Sequence, residues 1–262
     1  MDSNQSHRIV VKVGTNALTD QYGELDLTVM EQLVSQIVQL REKGFEVILV
    51  SSGAVGAGKS ILSLSNTKDE VISRQVYSSV GQVKLMGIYA ELFGKQGVIC
   101  AQVLATKEDF TGLEHYKNMK NCFSGLLNDH VLPIVNENDV VSLTELMFTD
   151  NDELAGLTAF MIGAEKLFLL TNVDGIYNGS PGEKGAKVIS QIAYEDNQYE
   201  KYLSERKSSD GRGGMQSKYD IAKKAAEKGI TTYIGNGKNS SILQQMLEQH
   251  FSGTVFIPKN NN

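Results

Sequence analysis

Residues 134–152 read IVNENDVVSLTELMFTDND, and this stretch decides the fold. It starts inside an apolar run, Val131–Val135, that reads as a buried strand. It turns polar at once, through Asn136, Glu137, Asn138 and Asp139. After a short apolar excursion come Asp150, Asn151 and Asp152, and then the helical pattern Leu154–Ile162. Open α/β sheets bind ligands beyond the carboxyl ends of their strands, where such a strand-to-helix passage lies. Asp150 and Asn151 also suit a helix N-cap, but a cap needs one such side chain. Seven Asn, Asp and Glu side chains in two clusters exceed that need and point to a ligand site.

Outward from this stretch, strands and helices alternate. Apolar runs at Ile9–Val13, Phe45–Val50, Gly97–Leu104, Lys166–Leu170, Ile230–Ile234 and Thr254–Ile257 predict strands. Apolar residues at helical spacing predict helices over Thr28–Lys43, Asp69–Phe93, Tyr116–Asn128, a stretch through Ala222, Ala225 and Ala226 to Gly229, and Ser240–His250. Alternation of this kind predicts a three-layer αβα sandwich with a mostly parallel central sheet. With 262 residues, three prolines and no low-complexity linker, the chain reads as one domain spanning 1–262.

Composition narrows the function. A net charge of −6 argues against nucleic acid or an anionic membrane as partner. No apolar run approaches the ~18 residues of a membrane span, and the polar start MDSNQSHR lacks the apolar core of a signal peptide. Cys100 and Cys122 lie in apolar patterns and read as reduced core residues of a cytoplasmic protein. No Cys/His cluster has metal-ligand spacing, and the scattered histidines offer no catalytic pair.

Several segments carry chemistry. Lys12 ends an apolar strand, where its charge can meet a ligand; the alternative is a snorkelling lysine on an edge strand. Ser51–Gly58 is a run of small residues after a strand, which lets backbone N–H groups approach an anion. Gly81, in the middle of a long helix, implies close packing against a neighbour. Asp174-Gly175 marks a tight turn, and Asn178–Lys187 reads as a mobile loop. Gly211–Lys218, GRGGMQSK, sets glycines and a lysine at a helix start, a phosphate-binding arrangement whose alternative is a plain flexible loop.

Taken together, KVGTNALT (Lys12–Thr19), SSGAVGAG (Ser51–Gly58), VGQ (Val80–Gln82), NEND (Asn136–Asp139), TDND (Thr149–Asp152), LLTNVDGIY (Leu169–Tyr177) and GRGGMQSK (Gly211–Lys218) resemble the glutamate 5-kinase family of the amino acid kinase superfamily, in the family's order and across almost the whole chain. The resemblance implies ATP-dependent phosphorylation of the glutamate side chain, with Mg²⁺ on the phosphates and no dedicated protein cage for the metal. It implies a catalytic set of Lys12, Asp152 and Lys218, with the carboxylate holding both lysines. Ser52, Gly53, Asp139, Asp150 and Asn151 are implied as the glutamate set. Gly14, Thr171, Asn172, Arg212, Gly213, Gly214, Met215, Gln216, Ser217 and Lys218 are implied as the ATP set. Asn172 stands where members often carry Asp, and Arg212 where they often carry a small residue. A C-terminal PUA domain, present in many bacterial members, is not expected. Expected partners are L-glutamate, proline as feedback inhibitor, a glutamate-5-semialdehyde dehydrogenase and further copies of the chain. Competing readings are an N-acetylglutamate kinase, a UMP kinase, an isopentenyl phosphate kinase or a non-catalytic ligand sensor on the same scaffold.

One motif points elsewhere. Gly53–Ser60, GAVGAGKS, matches the P-loop pattern and follows a strand. A P-loop reading is rejected because the pattern is short, no strand ends in a clearly placed Mg²⁺-binding aspartate, and Lys12, TDND and GRGGMQSK are left without roles. Lys59 is then expected to be a solvated helix lysine.

Overall fold

A computed structural model describes residues 7–64, 69–142, 147–180, 182–199, 214–248 and 251–259. Its elements run β1 (Arg8–Val13), α1 (Thr15–Leu18), α2 (Leu27–Glu42), β2 (Glu46–Ser51), α3 (Ala54–Lys59), α4 (Glu70–Lys95), β3 (Cys100–Ala105), α5 (Glu108–Thr111), α6 (Leu113–Asn128) and β4 (Leu132–Glu137). They continue with α7 (Asn151–Ile162), β5 (Lys166–Thr171), β6 (Gln191–Ala193), α8 (Met215–Glu227), β7 (Thr231–Asn236), α9 (Ile242–Gln245) and β8 (Thr254–Ile257). Among the described residues the strands form one sheet in the order β3-β4-β2-β1-β5-β7-β8-β6, parallel except where β7 meets β8. The expected αβα sandwich is therefore the observed one.

Period-two alternation divides the core. Along β1, Ile9, Val11 and Val13 face one layer, with Met30, Leu33 and Ile37 of α2 and Leu85, Tyr89 and Phe93 of α4. Val10 faces the other, with Leu154 and Ala155 of α7 and Tyr219 and Ala222 of α8. Lys12 shares the parity of Val10, so the register of β1 sends its side chain toward α7 and α8. The chain enters the sheet at its centre with β1, builds outward through β2, β3 and β4 on one side, then crosses back to β5 beside β1. That reversal sets the crevice at the carboxyl ends of β1, β2, β4 and β5.

Two helices touch backbone to backbone. A Cβ on Gly81 of α4 would overlap the carbonyl oxygen of Ala54 in α3, and one on Gly58 would overlap the carbonyl of Tyr77. The close packing expected of Gly81 is thus its reason for being glycine. It fixes the short α3, and the Ser52–Gly53 turn before it, onto α4. Gly53 itself sits at φ 109°, a conformation that glycine adopts without strain. GAVGAGKS is accordingly helix from Ala54 onward, and Lys59 is exposed.

Some expectations are corrected. The third strand begins at Cys100 rather than Gly97, because Gly97 (φ 70°) still belongs to the turn closing α4. Cys122 is exposed and Cys100 half-buried, so neither is a core residue. The helix expected over Ser240–His250 is a short turn at Ile242–Gln245 in the described residues, Gln249 and His250 lying outside them. A one-turn helix, α5, precedes α6, and the three-residue β6 carries too short a pattern to read. The loop Asn178–Lys187 is closed at its base by an antiparallel bridge between Tyr177 and Val188, with Lys187 N–H donating to Asn178 Oδ1 at 2.8 Å.

Gly81→Ala should destabilise the fold by about 2–3 kcal/mol or more, the usual cost of overpacking a closed contact. Gly87→Ala, on an exposed stretch of the same helix with open space around it, should be neutral or stabilising by up to about 1 kcal/mol. Urea denaturation midpoints check this; equal midpoints for the two variants would contradict the interlock.

Candidate active site

Three elements bring three charges together. Lys12 is at the C-terminal end of β1, Asp152 in the first turn of α7 and Lys218 in the first turn of α8. Lys12 Nζ lies 2.7 Å from Asp152 Oδ1, and Lys218 Nζ donates to Asp152 Oδ2 at 2.8 Å. Asp152 is fully buried and the two lysines nearly so. Gly156, one turn beyond Asp152, explains the meeting: a Cβ there would overlap the Ile221 side chain of α8, so α7 and α8 approach closely where Asp152 and Lys218 project. The structure thus brings together the carboxylate and the two lysines that the resemblance grouped.

The charges shape one another. Burial lowers the pKa of Lys12, as does the nearby Lys218, with Asp152 opposing both. For Asp152, burial acts to raise the pKa, but the two ammonium groups outweigh it and hold the carboxyl below its ordinary value. Asp150 behaves in the opposite way: burial and the adjacent Asp152 push its carboxyl up, against hydrogen bonds from Ser217 and the Glu153 N–H. Asp150 is the N-cap of α7, its Oδ1 accepting from the N–H groups of Asp152 (2.8 Å) and Glu153 (3.0 Å). Thr149 N–H donates to Glu153 Oε2 at 2.7 Å, and Lys107 pairs with Glu153 at 3.1 Å, so the first turn of α7 is pinned from both sides.

A second group of side chains lies alongside. Asn151 Nδ2 donates to Ser52 Oγ at 2.7 Å and to Asn136 Oδ1 at 3.0 Å, tying the ends of β2, β4 and α7 into one amide ladder. Of the expected glutamate set, Ser52, Asn151 and Asp150 therefore sit together, with Gly53 next in the chain to Ser52. Asp139 is at the same end of β4 but reaches outward to α4: its Oδ1 accepts from Arg74 Nε at 2.8 Å and its Oδ2 from Ser78 Oγ at 2.8 Å. Glu137 accepts from Ser142 Oγ (2.8 Å) and Phe148 N–H (3.1 Å). Arg74 and Ser78 are not singled out by the sequence, and Glu137 belongs to its polar cluster without a place in the expected glutamate set. A readable signal existed: Arg74 and Ser78 continue the stripe Gly81, Leu85, Tyr89 that buries α4, and an arginine on a buried stripe needs a partner.

The expected nucleotide set spreads along the other half of the crevice. Gly14 leads from β1, and a Cβ there would stand 3.4 Å from Lys12 Nζ, at van der Waals contact with the ammonium. Thr171 ends β5, and its carbonyl accepts from Gly237 N–H at 2.7 Å. Asn172 follows it, and Asn236 Nδ2 donates to Asp174 Oδ1 at 3.0 Å, tying the expected Asp174-Gly175 turn to the end of β7 through a residue the sequence did not single out. Gly214 caps α8, whose first turn holds Met215, Gln216, Ser217 and Lys218, so backbone N–H groups of a helix start open next to Lys218. Arg212 and Gly213 lie outside the described residues. Among the described residues, no group of three or more His, Cys, Asp or Glu side chains is arranged to hold a metal ion.

Comparison with known proteins follows the same lines. Residues 7–236 match the amino acid kinase family model. The chain is 50% identical to the glutamate 5-kinase of Bacteroides thetaiotaomicron over 253 residues, 96% of this chain and 70% of that protein. It is 38% identical to the glutamate 5-kinase of Clostridium acetobutylicum over 97% of this chain and 96% of that one. In fold it is similar to the carbamate kinase of Giardia lamblia bound to AMP-PNP, with a TM-score of 0.71, 18% identity and coverage of 97% and 99%. It is also similar to the UMP kinase of Bacillus anthracis, with a TM-score of 0.64, 14% identity and coverage of 97% and 96%.

Assayed as ADP release from ATP with glutamate, the substrates expected from the sequence, Lys12→Ala and Lys218→Ala should each lose on the order of 10²-fold or more in kcat. Lys59→Ala should stay within about threefold, since Lys59 is exposed and its ammonium lies 5.9 Å from the Tyr77 ring centroid. Collapse of the Lys59 variant with survival of Lys12→Ala would move the site to the P-loop look-alike.

Proposed function

We infer the reaction from one premise: the chain belongs to the amino acid kinase family and, within it, to the glutamate 5-kinases. It transfers the terminal phosphoryl group of ATP to the side-chain carboxylate of L-glutamate, giving L-glutamate 5-phosphate and ADP, the first step of proline biosynthesis. The observation that carries the assignment of the centre is the buried Lys12–Asp152–Lys218 relay at the head of the crevice.

The acceptor needs no general base. A glutamate side chain, with a pKa of about 4.3, is already ionised at neutral pH. One carboxylate oxygen forms a bond to the γ-phosphorus as the bond from that phosphorus to the β,γ-bridging oxygen breaks, and ADP leaves with the electron pair. The difficulty is repulsion between an anion and a polyphosphate, so the work is positioning and charge stabilisation. Lys12, between the acceptor side and the nucleotide side, faces the transferring phosphoryl oxygens. Lys218 and the N–H groups opening α8 face the ATP phosphates. Asp152 keeps both ammonium groups aimed. Mg²⁺ bound through phosphate oxygens and water would add positive charge to the leaving phosphates without a protein cage. Asp139 and the amide ladder Asn136–Asn151–Ser52 receive the acceptor, and an ammonium group beside Asp139 separates free glutamate from N-acylated glutamate.

The remaining expectations extend this reading. Proline shares the α-carboxylate and amino nitrogen of glutamate and competes at the same site. The acyl phosphate product cyclises to 5-oxoproline unless a reductase, a glutamate-5-semialdehyde dehydrogenase, consumes it. The enzyme acts in the cytoplasm as a homo-oligomer.

A hydroxamate trap tests the assignment. With Mg²⁺-ATP and hydroxylamine, glutamate should give hydroxamate, while aspartate and N-acetylglutamate should not. Turnover confined to N-acetylglutamate, or ADP release seen only with UMP, would overturn it.

A further inference from the structure

We propose that Arg74 is a positioning residue for the amino-acid acceptor: it clamps the Glu137–Asp139 turn against α4 and so sets the affinity for glutamate without taking part in phosphoryl transfer. This rests on the reaction proposed above and deepens it.

The clamp is built from one side chain and two carboxylates. Arg74 Nε donates to Asp139 Oδ1 at 2.8 Å, and a terminal nitrogen of the same guanidinium reaches both that oxygen and Glu137 Oε2, the latter at 3.3 Å. Ser78, one turn along α4, holds the other Asp139 oxygen. Glu137 and Asp139 are 4% and 6% exposed, and two buried carboxylates two residues apart repel each other. Burial and the charge of Asp139 push the Glu137 carboxyl up, while the Ser142 hydroxyl, the Phe148 N–H and Arg74 pull it down. A planar guanidinium with several fixed donors can span two carboxylates at once, which a single ammonium cannot do with the same geometry.

The clamp connects most directly to the acceptor side. Glu137 Oε1 accepts from Ser142 and Phe148, which draws together the two ends of the segment leading to Thr149 and Asp150. Asn136, whose Oδ1 accepts the Glu137 N–H at 2.9 Å, is the strand-end member of the ladder to Asn151 and Ser52. Release of Glu137 and Asp139 would therefore loosen the ladder. The relay keeps further supports of its own: the register of β1 for Lys12, and the Asp150 N-cap, the Glu153 contacts and the α7–α8 approach at Gly156 for Asp152 and Lys218. Arg74 is itself held in place, since α4 is locked to α3 at Gly81 seven residues on.

Kinetics of Arg74→Gln and Arg74→Lys test the proposal. Arg74→Gln should raise KM for glutamate by about tenfold or more, as for loss of a charged hydrogen-bond clamp, with KM for ATP and kcat within about threefold. Arg74→Lys should recover most, but not all, of the glutamate KM. If Arg74→Gln does not accumulate as folded protein, the Lys variant decides alone: an intermediate rise confined to glutamate supports the clamp. An unchanged glutamate KM in the folded variants overturns it. So does a parallel rise in both substrates' KM with a fall in kcat and melting temperature, which marks a purely structural role. Failure of the wild-type enzyme to form glutamyl hydroxamate is a separate result that strikes the reaction and not the clamp.

Discussion

The structure turns on a single buried carboxylate. Asp152 is fully buried and receives Lys12 on one oxygen and Lys218 on the other. Three charges withdrawn from water carry a desolvation cost that is recovered only if the geometry is close and every member stays paired. That requirement fixes much of the fold around it. β1 must have the register that turns Lys12 toward α7 and α8, and α8 must pass close enough to α7 to bring Lys218 over, which Gly156 permits. The N-cap at Asp150 and the Glu153 contacts hold the first turn of α7, where the carboxylate projects. In the proposed reaction the same constraint serves the chemistry: ammonium groups already desolvated and aimed need little reorganisation when negative charge arrives.

The crevice is divided by its supports. Lys218 and the opened turn of α8, proposed for the nucleotide, belong to the α7–α8 layer. Ser52, Asn136 and Asn151, proposed for the acceptor, meet across strand ends, backed by α4 with Arg74 and Ser78. Lys12 stands between the two. The proposed reaction, which must bring two anions together, would benefit from such separation, because each anion would have its own wall before the charges meet.

The alternation of runs made the sheet and its parallel character legible, because strands covered on both faces are continuously apolar. Local pattern also marked Lys12 and the two polar clusters as needing partners, while the grouping of Lys12, Asp152 and Lys218 came from the family resemblance. What local pattern could not show was pairing across the sequence. Arg74 lies 63 and 65 residues from its two carboxylates, and nothing nearby in the chain announces them. Cys122 is exposed, since an apolar pattern on a helix does not say which way each residue turns, and among the described residues the helix expected over Ser240–His250 is confined to Ile242–Gln245. GAVGAGKS shows the converse error, a motif without its context. Its glycines serve contact with α4, as the overlap at Gly58 with Tyr77 demonstrates, and its lysine faces solvent.

The central claim is that the Asp152 carboxylate, and not merely a side chain of its shape, holds both lysines for phosphoryl transfer. Asp152→Asn tests it most directly, since the amide is isosteric but cannot neutralise two ammonium groups. Single-turnover formation of the acyl phosphate, trapped as hydroxamate at saturating ATP and glutamate, should fall on the order of 10²-fold or more in a variant whose far-ultraviolet circular dichroism matches the wild type. A single-turnover rate within a few-fold of wild type would contradict the account.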